Sequence, residues 1–215
     1  MAARATFRRL GPPLKTRFID NPRSGRAHVA LPAIRDFARR HGAEVRPTER
    51  PRHASVLARE ALDAGCDRIV AVGGDGTMNE IASVLAGTPA VLALVPCGSG
   101  DGLGRHLGIH GSPEHALRIL VEGRIRIIDT GLADGHPFFT ASGLGFEAEI
   151  ARRFNALTRR GFARYVSTSA RAFRQWEAEE YTIHCGATRT RMKAFTVVVA
   201  NANQANFDAD GQGDA

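Results

Sequence analysis

Two kinds of apolar run alternate along the first half of the chain. Short continuous ones, TRFID ending at Asp20, DRIVAV before Gly73 and TPAVLALVP from Thr88, read as strands buried on both faces. Between them lie segments of helical spacing: PAIRDFARRHG, from Pro32 to Gly42, and a stretch whose Val56, Leu57, Ala61 and Leu62 share one face. The clearest repeat is DRIVAV, GGDG, TMNEIASVLAG and TPAVLALVP, in which strand, turn, helix and strand fit the roughly thirty residues of a βαβ unit. Two βα units precede it, one passing through the turn NPRSG and one through the Pro-rich loop of AEVRPTERPRHASVLAREALDAG. Such repetition predicts an α/β domain over residues 16–124, a Rossmann-like parallel sheet with helices on both faces.

Past Arg124 the pattern changes. RIRIIDTGLADGHPFFTAS reads as two strands joined at Asp134-Gly135, a dipeptide suited to the positive φ of a tight hairpin. A helical, arginine-rich stretch runs from Glu147 to Trp176, and YTIHCGATRTRMKAFTVVVANA reads as a second hairpin. Antiparallel strands after a βα domain predict a partial β-sandwich over residues 125–215, with a polar tail, NQANFDADGQGDA, that has no strand pattern. Residues 1–15 are basic, free of acids and without the apolar core of a secretory signal, and predict a disordered leader.

Composition narrows the classes. A length of 215 residues holds one large domain or one domain and part of a second, and the 43% hydrophobic content supports a real core. The longest apolar stretch, AVLALV, is too short to cross a bilayer, so a soluble protein is expected, and the odd, scattered cysteines fit a reducing cytoplasm, with the inner membrane face as a peripheral site. The net charge of +7, carried by arginine with only Lys15 and Lys193 as lysines, favours anionic partners: nucleotide, nucleic acid or an acidic lipid surface. With no nucleic-acid-binding motif in the chain, nucleic acid is not an expected partner. Cys66, Cys97 and Cys185 fit no metal-ligand spacing and predict three free thiols. His106, His110 and His115 match no metal-ligand pattern and read as surface or loop histidines.

The chemistry concentrates in glycine-rich turns. GGDGTMNE, Gly73 to Glu80, feeds a strand into a helix whose Thr77 and Glu80 match a capping box. Backbone N–H groups at such a helix start, with the positive end of its dipole, favour phosphate. Neither this turn nor GSGDGLGR, Gly98 to Arg105, carries the lysine and hydroxyl of a P-loop. The GxGxxA match at Gly143, Gly145 and Ala148 lacks the second acid-ended strand of a dinucleotide site and reads as a strand-to-helix turn. Asp75 is the awkward residue. Beside phosphate its carboxylate is tolerable where a divalent cation intervenes or where it faces an attacking hydroxyl; alone, it equally makes an Asx turn.

NPRSG (Asn21 to Gly25), Thr48 with His53-Ala54, GGDGTMNE and PCGSGDGLGRHLGI (Pro96 to Ile109) stand in the order and spacing of the diacylglycerol kinase catalytic-domain family, which includes bacterial lipid kinases and sphingosine kinases. GLGFEAEI resembles that family's second-domain signature. The resemblance implies an ATP-dependent lipid kinase that uses Mg2+ and transfers the γ-phosphate to a hydroxyl of diacylglycerol or a sphingoid lipid. It implies that Asn21, Pro22, Ser24 and Gly25 approach the nucleotide, that Thr48 reaches its adenosine side, and that Gly73, Gly74, Gly76 and Thr77 line the phosphates. Asp75 would serve the metal through water or take the acceptor's proton. Glu80 would contact the ribose or only cap its helix, and Gly98 and Ser99 would close the other side of the cleft.

Asp101 and Gly104 stand where the family has asparagine and often alanine. Family members also continue past a segment like VVVANAN, so an inactive nucleotide-binding remnant is one alternative and an NAD kinase-like enzyme another. The arginines 152, 153, 159, 160, 164, 171 and 174, beside Phe154, Leu157, Phe162 and Phe173, read mostly as a solvated face, with peripheral contact to an anionic membrane as the functional reading.

Overall fold

The structure, a computed structural model, describes residues 7–8, 14–155 and 172–201. Ala141–Ala200 form one compact unit, and the described residues on either side of that segment form another.

In the first unit four strands make a parallel sheet in the order β3-β2-β4-β5: β2 (Thr16–Asp20), β3 (Glu44–Pro47), β4 (Arg68–Gly73) and β5 (Val91–Pro96). Helix α1 (Ala27–Arg40) joins β2 to β3, α2 (His53–Asp63) joins β3 to β4, and α3 (Asp75–Leu85) joins β4 to β5. Alternate residues of each central strand go to opposite cores. Phe18, Val70, Val72 and Val95 pack with Ala30, Ile34 and Phe37 of α1 and with α5 (Pro113–Glu122). Ile19, Ile69, Ala71 and Leu94 pack with Leu57 and Ala61 of α2 and Ile81 and Leu85 of α3. The chain therefore leaves β2 across one face and returns to β4 across the other, with helices on both sides as the apolar runs predicted.

The details differ in instructive places. Helix α1 begins five residues before Pro32, because the NPRSG turn closes directly into it through Ala27 N–H to the Ser24 carbonyl. Pro32 is then an interior proline that forgoes one intrahelical bond. On α2 the buried positions are Ala54, Leu57, Ala58 and Ala61, while Val56 is 42% exposed, so the apolar face is rotated from the one read in sequence. A two-residue strand β1 (Phe7–Arg8) lies antiparallel to β6 (Ile125–Arg126), so the leader expected to be disordered contains a paired segment. A pairing of two residues has no sequence signature of its own.

The Asp134-Gly135 hairpin is present: β7 (Gly131–Ala133) pairs with β8 (His136–Phe138), and both turn residues have positive φ, 49° and 75°. It belongs to the first unit, so the division falls at Thr140/Ala141, later than the expected break at 125. Asn201 donates from its side chain to the Asp129 and Phe139 carbonyls, tying the chain back to that unit.

The second unit is antiparallel. β9 (Ala141–Gly145) pairs with β12 (Thr196–Ala200), and β10 (Glu179–Cys185) with β11 (Thr188–Ala194). α6 (Phe146–Asn155) follows β9 through Gly145 at φ 85°, where a β-carbon would strike the Phe195 carbonyl. Phe146, Phe173, Trp176 and Phe195 gather into one aromatic cluster. Arg152 and Arg153 both pair with Glu149, at 2.7 and 2.6 Å, which commits two of the arginines considered for anion contact. Arg159, Arg160, Arg164 and Arg171, with Leu157, Phe162 and the side chain of Phe154, lie outside the described residues, as does the tail from residue 202. All three cysteines are free thiols, Cys66 and Cys97 buried and Cys185 exposed. Among the described residues no helix is long and apolar enough to cross a membrane.

Candidate functional site

Every motif of the first unit follows the carboxyl end of a sheet strand: NPRSG after β2, Thr48 after β3, GGDG after β4 and CGSGDG after β5. In open α/β sheets that edge is where ligands bind, above all where successive connections cross to opposite faces. Here the crossing point lies between β2 and β4. Asn21 spans it: its N–H donates to the Val72 carbonyl and its side-chain amide to Thr77 Oγ1 at 2.9 Å, while its Oδ1 accepts from Arg23 N–H.

The three turns touch through backbone. Gly74 and Gly98 face each other so closely that a β-carbon on Gly98 would sit 2.8 Å from Gly74 Cα. One on Gly25 would sit 2.9 Å from the Cys97 carbonyl oxygen, the group that accepts from Arg26 N–H. Cys97 N–H donates to the Gly73 carbonyl. The glycines thus serve the packing of turn on turn as well as any approach of ligand.

Asp75 has two partners that sequence did not reveal. Its Oδ2 accepts from Asp101 N–H at 2.9 Å and its Oδ1 from Gly102 N–H at 2.8 Å, at the start of the short helix α4 (Gly102–His106). The first acid therefore holds the second glycine turn, and a β-carbon on Gly100 would collide with it. Asp75 remains exposed, and each oxygen keeps a lone pair free of these bonds.

Asp101 is buried and left-handed, φ 52°, a conformation aspartate and asparagine tolerate through local hydrogen bonding. Its Oδ1 accepts from Gly98 N–H at 3.1 Å. Burial, seconded by the Asp75 charge, pushes its carboxyl up; the Gly98 bond, Arg26 and Arg105 pull against that. Burial, with the charges of Asp101 and Asp20, holds the Cys97 thiol up at about 11. Asp20 is itself buried, with Oδ1 unpartnered, and its carboxyl is raised by burial against the pull of Arg35.

The capping box does not form. Gly74 takes the N-cap position in extended backbone without a side-chain bond, and α3 starts at Asp75, so Thr77 lies inside the helix with its hydroxyl engaged by Asn21. Glu80 turns away to accept from Ala54 N–H of α2 at 3.2 Å. The four-residue signature fits locally, but the partners that claim both side chains come from other elements.

Two cavities open at this edge. One of about 160 Å³ is lined by Asn21, Thr48, Thr77 and Glu80, with Ala54 and the Arg50–Arg52 turn. The other, about 610 Å³, is lined by Gly98, Ser99, Asp101, Arg26, Arg105 and His110. Gly73 is buried, Gly76 is exposed, Pro22 is exposed at the lip of the first turn, and Ser24 Oγ lies near Gly74. Among the described residues no three His, Cys, Asp or Glu side chains converge as a metal cage. A single exposed carboxylate is nonetheless the donor set by which Mg2+ is held when phosphates and water supply the remaining ligands.

A parallel sheet whose glycine turns meet at a crossing point defines an α/β protein with a candidate ligand site at that edge. Residues 15–133 match the family described as diacylglycerol kinase catalytic domain, and residues 140–208 match the YegS C-terminal NAD kinase beta sandwich-like domain. The chain belongs to the diacylglycerol kinase catalytic-domain family. A Chromohalobacter salexigens protein named "Probable lipid kinase YegS-like" is 36% identical over 129 residues, 56% of this chain and 42% of the relative. A Pseudomonas fluorescens protein of the same name is 34% identical over 139 residues, 63% and 46% of the two chains. The chain spans about half the length of the curated relatives it matches. The crystal structure of a Bacillus anthracis diacylglycerol kinase superposes with a TM-score of 0.70 at 23% identity, covering 91% of this chain and 67% of that one. Its likeness speaks to the fold.

Proposed function

We propose that this chain binds ATP and serves transfer of its γ-phosphate to a hydroxyl of diacylglycerol or a sphingoid or related lipid. The observation that supports it most is the meeting of three glycine turns, backbone against backbone, around one exposed acid at the crossing point of the sheet. In this reading the nucleoside lies toward Thr48 and Glu80, with Asn21, Pro22, Ser24 and Gly25 beside it. Gly73, Gly74, Gly76 and Thr77 line the phosphates, and Gly98 and Ser99 form the far wall. Mg2+, when bound, would neutralise phosphate charge, and Asp75 is the residue to hold it, through water.

In the transfer, the lipid oxygen bonds to the γ-phosphorus as the bond to the bridging oxygen breaks and ADP leaves. Asp75, exposed and fixed by two N–H donors, would help to take the hydroxyl proton. The family membership and the basic surface support contact with an anionic membrane from the cytoplasmic side.

Incubation with γ-labelled ATP and vesicles carrying diacylglycerol or a sphingoid base reads the transfer. Labelled lipid, reduced ~100-fold by Asp75→Asn, is the expected result, since such sites work by fixed electrostatics. Label appearing on added NAD instead would favour the NAD kinase-like reading. ATP binding with no labelled product would reduce the chain to nucleotide binding alone.

A further inference from the structure

Helix α2 begins in an unusual way. Its N-cap residue, Arg52, sits in the left-handed region at φ 61° and has no side-chain oxygen with which to cap, so the first N–H groups of the helix receive no bond from the N-cap side chain. One of them, Ala54 N–H, finds an acceptor 26 residues away in Glu80 Oε2 on α3. A carboxylate at a helix N-terminus gains from the dipole as well as from the bond.

The consequence falls on the smaller cavity. Its wall on this side is the turn from Thr48 to Ala54, closed on itself by Glu49 N–H to His53 Nδ1 and by His53 N–H to the Arg50 carbonyl. At one end Thr48 N–H is fixed to the Asp20 carbonyl of the sheet; at the other Ala54 N–H is fixed to Glu80. The opposite wall, Asn21 and Thr77, is likewise joined by its own hydrogen bond. Glu80 thus ties the Thr48–Ala54 wall to α3, the helix that also carries Thr77 of the opposite wall.

We infer that Glu80 is a positioning residue for the nucleotide cavity, capping α2 from α3 to hold the Thr48–Ala54 wall in place, and is not the ligand of the ribose. This rests on the proposed nucleotide reading for its function, though the cap can be tested without any nucleotide. Glutamine keeps an acceptor oxygen and alanine does not, so the two substitutions separate the cap from the charge.

The experiment measures amide exchange at Ala54 and the affinities of ATP and 2′,3′-dideoxy-ATP for the wild type, Glu80→Gln and Glu80→Ala, with circular dichroism to confirm folding. In Glu80→Ala, exchange at Ala54 should accelerate ~5-fold, the loss typical of a helix cap, and both nucleotides should weaken by a similar factor. Glu80→Gln should restore all three. Unchanged Ala54 exchange in Glu80→Ala overturns the cap. A loss confined to ATP, with dideoxy-ATP unaffected and Glu80→Gln no better than alanine, makes Glu80 a ribose ligand and overturns the inference. Failure of the wild type to bind either nucleotide overturns the nucleotide reading and with it the positioning role, while exchange still decides whether the cap exists.

Discussion

The two glycine turns that follow β4 and β5 look alike in sequence and are built on different principles. Gly73–Gly76 is an unaided start of a long helix: its N-cap is glycine, no side chain caps it, and its carboxylate reaches outward. Gly98–Gly102 precedes a helix of five residues and is held by two carboxylates, Asp101 from within and Asp75 from the neighbouring turn. No side chain caps the first turn, whereas the second spends three of its N–H groups on carboxylates. Under the proposed function the first turn would be the phosphate donor and the second its support.

Substitutions at the glycines break this comparison most strongly. Gly98→Ala drives a β-carbon against the Gly74 backbone, which cannot yield as a flexible side chain would. It should cost about 2–3 kcal/mol in denaturant unfolding. A variant as stable as the wild type would show that the turns do not pack as described. Asp75→Asn comes next. Its amide group keeps one acceptor but turns donors toward Asp101 or Gly102 N–H, so a loss of about 1–2 kcal/mol is expected. No loss would leave Asp75 without its supporting role.

Gly76→Ala runs the other way. Nothing lies within 4 Å of the β-carbon it would add, and the position is helical. Stability should rise by about 0.5 kcal/mol while ATP affinity falls, a split that only a ligand lying on the first turn produces. Affinity and stability rising together would move the phosphates elsewhere.

The smallest effect sharpens the account of Asp101. Because burial raises its carboxyl, the folded state releases this proton at higher pH than the unfolded chain does. Its contribution is fully present below the ordinary carboxylate range and is lost as pH rises through the raised value. Asp101→Asn keeps the left-handed turn and the acceptor for Gly98 N–H. The stability gained by the variant over the wild type should therefore grow from pH 4 to pH 7. Asp20 titrates in the same direction but is common to both proteins and cancels. A difference independent of pH would contradict the burial argument.

Sequence disclosed the sheet and its turns because β2, β4 and β5 are short, mainly apolar runs closed by Asp20, Gly73 and Pro96, and such punctuation is local. It marked the glycine turns as the candidate site for the same reason. What stayed hidden are bonds between elements. Thr77 and Glu80 spell a capping box, yet Asn21 and Ala54 reach them only because β2 and α2 lie beside α3 in space. Asp75 could not be given its partners without β5 as the neighbour of β4. Pro32 read as a helix start, although the NPRSG turn had already begun the helix. The best available sign of the hidden network was Asp101, an acid between glycines where a left-handed turn is favoured.

Amide resonances recorded while Mg-ATP is added test the central claim most directly. The account predicts saturable shifts at Gly73, Gly74, Gly76 and Thr77, with Thr48 following and the β10–β11 hairpin silent. Saturating Mg-ATP that leaves those four amides unmoved would contradict it.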